Sequence, residues 1–218
     1  MDGWLLPDDP AVLFEEGKAH DVPFMTGSNG NDGAMFIMGL PMKTVANYQA
    51  ALRKFFPNDA GAIEKLYPAK SDGEARTLAT RIATIAMFMA PARADARVMS
   101  RKTDAYLYQF THVSPLGRLL NMGAGHGMDI EFVLTDGHSP RDPKDRELSE
   151  IMTAYWTNFA RSGDPNGPGL PQWPRYGAES DIHMELGDPV RTANGLEKDA
   201  CDLFDRLRAD GIKKRKGA

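Results

Sequence analysis

The sequence predicts an α/β fold with a mostly parallel central sheet, and three observations lead to that prediction. A short apolar run, residues 21–26, ends in a glycine-rich loop at residues 27–33. A second β-rich run, residues 105–111, follows a long segment in which apolar residues recur at helical spacing. A helical connection of this length between two strands favours a parallel crossover. Open α/β sheets present site residues at their carboxyl edge in this arrangement.

Helices are predicted where apolar residues recur every three or four positions. One covers residues 44–56 and is stopped by Pro57, and a short one follows it to Leu66. The remaining predicted elements are a helix with the stripe Leu78, Ile82, Ile85 and Met89, which Pro91 breaks or restarts, a helix over residues 145–161 that Gly163 ends, a last strand at 182–186 and a final helix through Leu196, Ala200, Leu203 and Leu207.

Composition bounds the class of protein. The 218 residues are 42% hydrophobic and 26% charged, which is ordinary usage for a globular domain or part of one. The net charge of −4 makes no electrostatic case for a nucleic-acid partner. Cys201 is the only cysteine, so this chain holds no internal disulfide and no cysteine-based metal site. No apolar run approaches the ~18 residues that a membrane span needs.

The two ends of the chain carry fewer signals. The first residues show no basic and then apolar leader, so no signal peptide is visible and the location stays open between cytoplasmic and secreted. The basic cluster at residues 213–216 predicts a flexible, solvated tail over residues 209–218.

One histidine stands out by its surroundings. His126 lies between Gly125 and Gly127, and glycines on both sides allow a tight turn with room beside the imidazole. Histidine has the side-chain pKa nearest neutrality, so a positioned imidazole can accept and return a proton. Asp129 and Glu131 follow, and on an extended run they would share one face. They leave two roles open, support of the histidine loop or metal binding together with His126.

Five segments, in order, resemble the type-B carboxylesterases, the cholinesterase-like branch of the α/β-hydrolase fold. Two are loops that carry chemistry in that family, the acid loop and the histidine loop, and three are flanking strands, helices and turns. The segments are residues 2–7, 27–36, 106–110, 125–133 and 155–166 with 172–176. The resemblance implies that residues 1–218 form the C-terminal portion of a single α/β-hydrolase domain.

Carried over by position, the resemblance makes Asp32 the acid and His126 the general base of a serine esterase. Glutamate is the commoner acid in the family, and aspartate has one methylene fewer, so the two loops must approach more closely. Met35, Phe36 and Met38 become candidates for contact with the acyl group of the substrate. The resemblance implies a small-molecule ester as substrate and no cofactor, because the mechanism uses only side chains and water.

The 218 residues contain no candidate for the nucleophilic serine of this mechanism. No Gly-x-Ser-x-Gly occurs in the 218 residues, and in α/β hydrolases the serine precedes the acid along the chain. We therefore predict that this chain alone is inactive and that the serine and the oxyanion donors lie upstream. The sheet in this chain would be incomplete, with about three strands and an exposed edge. The chain is then expected to self-associate or to pair with the N-terminal portion of the same enzyme.

A non-enzymatic alternative remains. The same family includes adhesion and binding proteins that keep the fold and have lost the serine. Retention of both Asp32 and His126 favours the enzyme. The other histidines, His20, His112, His138 and His183, are interpreted as surface or structural residues.

Overall fold

The computed structural model describes residues 2–119, 122–134 and 142–216. Within these ranges, four strands form one sheet in the order in which they occur along the chain. The strands are β1 (Phe24–Asn29), β2 (Ala105–Phe110), β3 (Ile182–Leu186) and β4 (Arg191–Asn194). The first three run parallel to one another, and β4 runs antiparallel to β3. The predicted mostly parallel sheet is confirmed, with one strand more than expected.

Helices cover both faces of this sheet. In the described part of the chain they are α1 (Pro10–Glu15), α2 (Val45–Phe55), α3 (Ala60–Leu66), α4 (Asp72–Thr84), α5 (Ala90–Met99), α6 (Pro115–Leu119), α7 (Ile130–Val133), α8 (Pro143–Ser162) and α9 (Lys198–Lys216). A 3₁₀ turn, Asp32–Ala34, follows β1, and a π-helical segment, Ile85–Met89, joins α4 to α5.

Local signals explain where the longer helices begin and end. The Thr44 hydroxyl accepts a hydrogen bond from the Asn47 amide at 3.1 Å and so caps α2. At α8 the Asp142 carboxylate accepts from the Asp145 amide at 2.9 Å, and a proline occupies the first turn. The predicted stop of α8 is confirmed, because Gly163 follows it in the left-handed conformation at φ 76°.

Two apolar cores lie on opposite faces of the sheet. One packs α2, α4, α5 and α9 against the sheet, with Ile85, Met89 and Leu107 fully buried in it. The other packs α8 against the opposite face around Trp173 and Tyr155. The sheet is therefore the middle layer of three, as expected for an α/β domain.

Three segments differ from the sequence prediction. Residues 130–133 were expected to be extended but form α7, so Asp129 and Glu131 do not share one face as they would on a strand. The helical stripe before Pro91 passes through a π-helical segment, and Pro91 then lies in the first turn of α5. Helix α9 continues to Lys216, so most of the segment predicted as a flexible tail has helical backbone. No helix among the described residues is long and apolar enough to span a membrane.

Candidate active site

The acid lies directly after the first strand. Strand β1 ends at Asn29, and the 3₁₀ turn that follows buries Asp32 to 3% exposure. The Asn29 amide donates to Asp32 Oδ2 at 2.6 Å. Gly33 fits against α4, where its amide donates to the Thr84 hydroxyl at 2.9 Å. A Cβ at Gly33 would meet the Thr84 amide nitrogen at 2.5 Å, so a glycine is needed for this close approach.

The histidine lies in the loop that follows β2. Gly123 and Gly127 turn the chain on either side of His126 with φ of 61° and 78°. The Asn31 amide donates to the Ala124 carbonyl at 2.9 Å, so this loop runs beside the acid loop. The sequence places these loops 94 residues apart, and the fold brings His126 Nδ1 to 2.8 Å from Asp32 Oδ1.

This hydrogen bond defines what the imidazole can do. A carboxylate accepts from Nδ1–H, and in neutral histidine the other nitrogen, Nε2, is then the proton acceptor. The His126 side chain is 41% exposed while Asp32 is buried, so the proton-accepting side of the pair is reachable. Burial raises the pKa of Asp32 above its ordinary value, and the hydrogen bonds from the Asn29 amide and His126 oppose that rise.

Two phenylalanine rings flank the imidazole. The Phe36 ring lies edge-on at a centroid distance of 5.4 Å, and the Phe88 ring lies at 4.9 Å. Phe88 belongs to the π-helical segment, and such segments occur frequently at functional sites. The sequence prediction named Phe36 but missed Phe88. Met35 and Met38, also predicted as acyl contacts, are 52% and 67% exposed.

Phe36 also lines an apolar cavity of about 490 Å³ between α2 and α4. The lining side chains are almost all apolar and come from the loop after Asp32 and from both helices. They are Phe36, Ile37, Leu40, Met42, Tyr48, Ala51, Leu52, Phe55, Phe56, Ala79, Ile82, Ala83, Ala86 and Met87. Neither Met35 nor Met38 is among them. A cavity of this size and composition suits an apolar group, and Phe36 lies between it and the imidazole.

A polar network beneath the two loops was not predicted. The Asn29 amide nitrogen Nδ2 donates to the Gly125 carbonyl at 2.8 Å and to Asp129 Oδ1 at 2.9 Å. The Tyr108 hydroxyl on β2 donates to Asp129 Oδ2 at 3.2 Å. Asp129 is thus bonded within the protein, as expected for a residue that supports the histidine loop. The described residues contain no group of three or more side chains able to hold a metal ion.

The other histidines among the described residues have no contact with the acid–histidine pair in the hydrogen bonds and ring contacts found. His112 is buried and its Nε2 lies 2.6 Å from Asp145 Oδ1. His183 is buried in β3, where burial lowers its pKa, and His20 is exposed. The interpretation of these three as structural or surface residues agrees with their positions. His138 lies outside the described residues.

The fold and the pair together identify a class. An acid after one parallel strand, bonded to a histidine after the next, at the carboxyl edge of a three-layer α/β sheet, is the arrangement of an α/β hydrolase.

Comparison with known proteins identifies the family. The model of the carboxylesterase family matches residues 1–204, and the chain belongs to that family. Similar proteins include fumonisin B1 esterase of Sphingopyxis macrogoltabida, 29% identical over 90% of this chain and 38% of that protein. Human cocaine esterase is 29% identical over 82% of this chain and 36% of its own length. Bile salt-activated lipase of Rattus norvegicus is 28% identical over 90% and 36%. The chain therefore spans under two fifths of each of these relatives.

Proposed function

We propose that this chain is the C-terminal portion of a serine carboxylesterase domain and supplies the acid and the general base. The observation that carries the proposal is the 2.8 Å contact between His126 Nδ1 and Asp32 Oδ1, at an edge where the imidazole is accessible. Membership of the carboxylesterase family supports ester hydrolysis as the reaction. The nucleophilic serine belongs to a segment outside these 218 residues.

The two side chains have distinct tasks in this reaction. His126 Nε2 accepts the serine proton as the serine oxygen attacks the ester carbonyl, and then gives that proton to the departing alkoxide. A water molecule attacks the acyl-serine in the second half, and His126 takes and returns a proton again. Asp32 holds the Nδ1–H tautomer and stabilises the imidazolium that forms twice in each cycle.

The binding partner of this chain is the N-terminal portion of the same enzyme. For the chain alone, self-association is the alternative. Among the described residues, strand β1 pairs on one side with β2, so its other edge is available to a further strand. Large apolar side chains are exposed, including Trp4 at 91% and Leu134 at 78%. Apolar exposure of this kind is typical of surfaces that another segment covers.

The proposal is tested first on the coding DNA upstream of Met1. We expect an in-frame Gly-x-Ser-x-Gly roughly 80 to 130 residues ahead, an estimate from fold topology. The whole encoded protein should hydrolyse p-nitrophenyl butyrate and react with a fluorophosphonate probe at that serine, and its Ser→Ala variant should do neither. An upstream elbow with another residue in place of serine would instead support the binding-protein alternative, and ester hydrolysis would be abandoned.

The apolar cavity beside Phe36 is the site for the acyl chain of the substrate. Ala51 lines this cavity on α2, so Ala51→Phe should shorten the space available to long acyl chains. We expect kcat/KM for p-nitrophenyl dodecanoate to fall about tenfold relative to the butyrate, since a few lost methylene contacts have effects of this order. Exposed Ala62 on α3 offers the control Ala62→Phe. An unchanged chain-length profile in Ala51→Phe would place the acyl group elsewhere.

Met35 and Met38 do not line this cavity. We propose that these exposed residues, on the loop after Asp32, contact the part of the acyl group that lies outside it. Both lie within two residues of Phe36, whose ring contacts the His126 imidazole and also lines the cavity. Their exposure of 52% and 67% fits a surface that the remaining part of the enzyme covers.

A further inference from the structure

Asn29 bonds to the acid of the acid–histidine pair and to the loop that carries the histidine. It is the last residue of β1 and is 3% exposed. Its backbone amide donates to Asp32 Oδ2 at 2.6 Å. Its side-chain amide donates to the carbonyl of Gly125, the residue before His126, at 2.8 Å. One buried residue therefore fixes the acid on one side and the histidine loop on the other.

The second acceptor of this amide explains why an asparagine is suited to the position. Both hydrogens of the Asn29 amide are used, one toward Gly125 and one toward Asp129 Oδ1 at 2.9 Å. Asp129 lies three residues after His126, and Tyr108 donates to its other oxygen. Asn29 thus holds the loop on both sides of His126. An aspartate at position 29 has the same shape but only acceptor oxygens, which would face the Gly125 carbonyl and the Asp129 carboxylate without a hydrogen to share.

We infer that Asn29, with Asp129 as its acceptor, is the positioning residue that sets the contact between Asp32 and His126. The inference rests on the proposed function for its catalytic meaning, but it concerns a geometry that can be measured without catalysis. The backbone and side-chain amides of Asn31 hold the loop at Ala124 and Met122, both before His126. The side-chain amide of Asn29 bonds to residues on both sides of His126.

The test uses the 218-residue chain labelled with ¹⁵N-histidine. The Nδ1–H proton of His126 is followed by solution NMR, or by magic-angle-spinning NMR where the chain self-associates, and is assigned from its loss in His126→Gln. In Asn29→Asp we expect exchange of this proton with water to rise about tenfold or more, because a charge-assisted hydrogen bond is weakened. Asn194→Asp is the matched control, since exposed Asn194 donates to the Ser180 carbonyl on the far edge of the sheet.

Rescue separates positioning from a general loss of structure. In the double variant Asn29→Asp with Asp129→Asn, the new amide of residue 129 can donate to the new carboxylate and still accept from Tyr108. We expect the slow exchange of the His126 proton to be largely recovered, with the Gly125 contact alone lost. The inference is overturned if Asn29→Asp keeps wild-type exchange, or if the double variant exchanges as fast as the single one. If Asn29→Asp speeds exchange of the His126 proton as expected, but the whole enzyme still hydrolyses esters after His126→Ala, the proposed function is refuted and the positioning role stands.

Discussion

Replacing His126 by alanine in the whole enzyme is expected to lower kcat for ester hydrolysis by about 10,000-fold or more. His126 is the side chain whose Nε2 is set to accept a proton while Nδ1 is held by Asp32 at 2.8 Å. Without His126, the serine hydroxyl of the proposed mechanism would keep its proton at neutral pH, and the departing alkoxide would have no proton donor. KM should change little, because the imidazole contributes to the transition state more than to substrate binding.

Matched variants separate this chemical loss from damage to the fold. Asp32→Asn keeps the shape of the acid but favours the wrong imidazole tautomer, and we expect a loss of about 1,000- to 10,000-fold in kcat. His20→Ala changes an exposed histidine on the loop after α1 and should leave kcat unchanged. Initial rates with p-nitrophenyl butyrate and melting temperatures measure both effects. An His126→Ala enzyme that retains more than a tenth of wild-type kcat would exclude His126 as the general base.

The sequence predicts Asp32 and His126 as a pair, but it does not predict the hydrogen-bond network of Asn29 that holds their two loops. The glycine-flanked His126 and the acid loop at Asp32 have local patterns, and a family resemblance connected them. The contacts of Asn29 join residues 96 and 100 positions apart, and such contacts depend on strand register that spacing does not reveal. Phe88 was missed because the predicted stripe marks the buried face at Ile85 and Met89, and Phe88 lies between them with its ring against His126.

The structure also differs from the sequence prediction at two short elements, β4 and residues 130–133. Strand β4 has the sequence Arg-Thr-Ala-Asn and is mostly exposed, so it has no apolar alternation to identify it. Residues 130–133 are apolar enough for a strand but form one helical turn, whose Phe132 packs into the core beside α8. Helix–strand ambiguity of this kind is inherent in short apolar runs, and tertiary packing decides between them.

A buried ion network carries the second large expected effect. Arg93 on α5 is 2% exposed, and its Nε and Nη2 donate to both oxygens of Asp181, with distances from 2.7 to 3.0 Å. Its Nη1 donates to Asp202 on α9 at 2.8 Å. Tyr176 donates to Asp181 Oδ1 at 2.8 Å. The single guanidinium therefore connects α5 both to Asp181, the residue before β3, and to α9. No sequence pattern predicts this network.

Arg93→Met should lower the free energy of unfolding by about 3–5 kcal/mol, because it leaves the buried Asp181 carboxylate without its cation. The melting temperature should fall by roughly 10 °C for a chain of this length. Arg191→Met is the control, since Arg191 is 63% exposed and its contact with Glu185 should contribute about 0–1 kcal/mol. Urea unfolding at one protein concentration, followed by tryptophan fluorescence, compares the three proteins.

The same network predicts how this loss depends on pH. Burial alone would raise the pKa of Asp181, but hydrogen bonds from Arg93 and Tyr176 together outweigh it and hold the pKa below its ordinary value. A carboxylate with a depressed folded pKa stabilises the fold above its unfolded pKa, and this stabilisation is lost as pH falls through the folded value. The difference between wild type and Arg93→Met should therefore be largest at pH 7. It should begin to shrink above pH 4, because a buried Asp181 without its cation takes up a proton more readily, and shrink further below about pH 4, where wild type loses its own stabilisation. A difference that stayed constant down to pH 2 would mean that lost packing of the long Arg93 side chain, and not its charge, is what the variant removes.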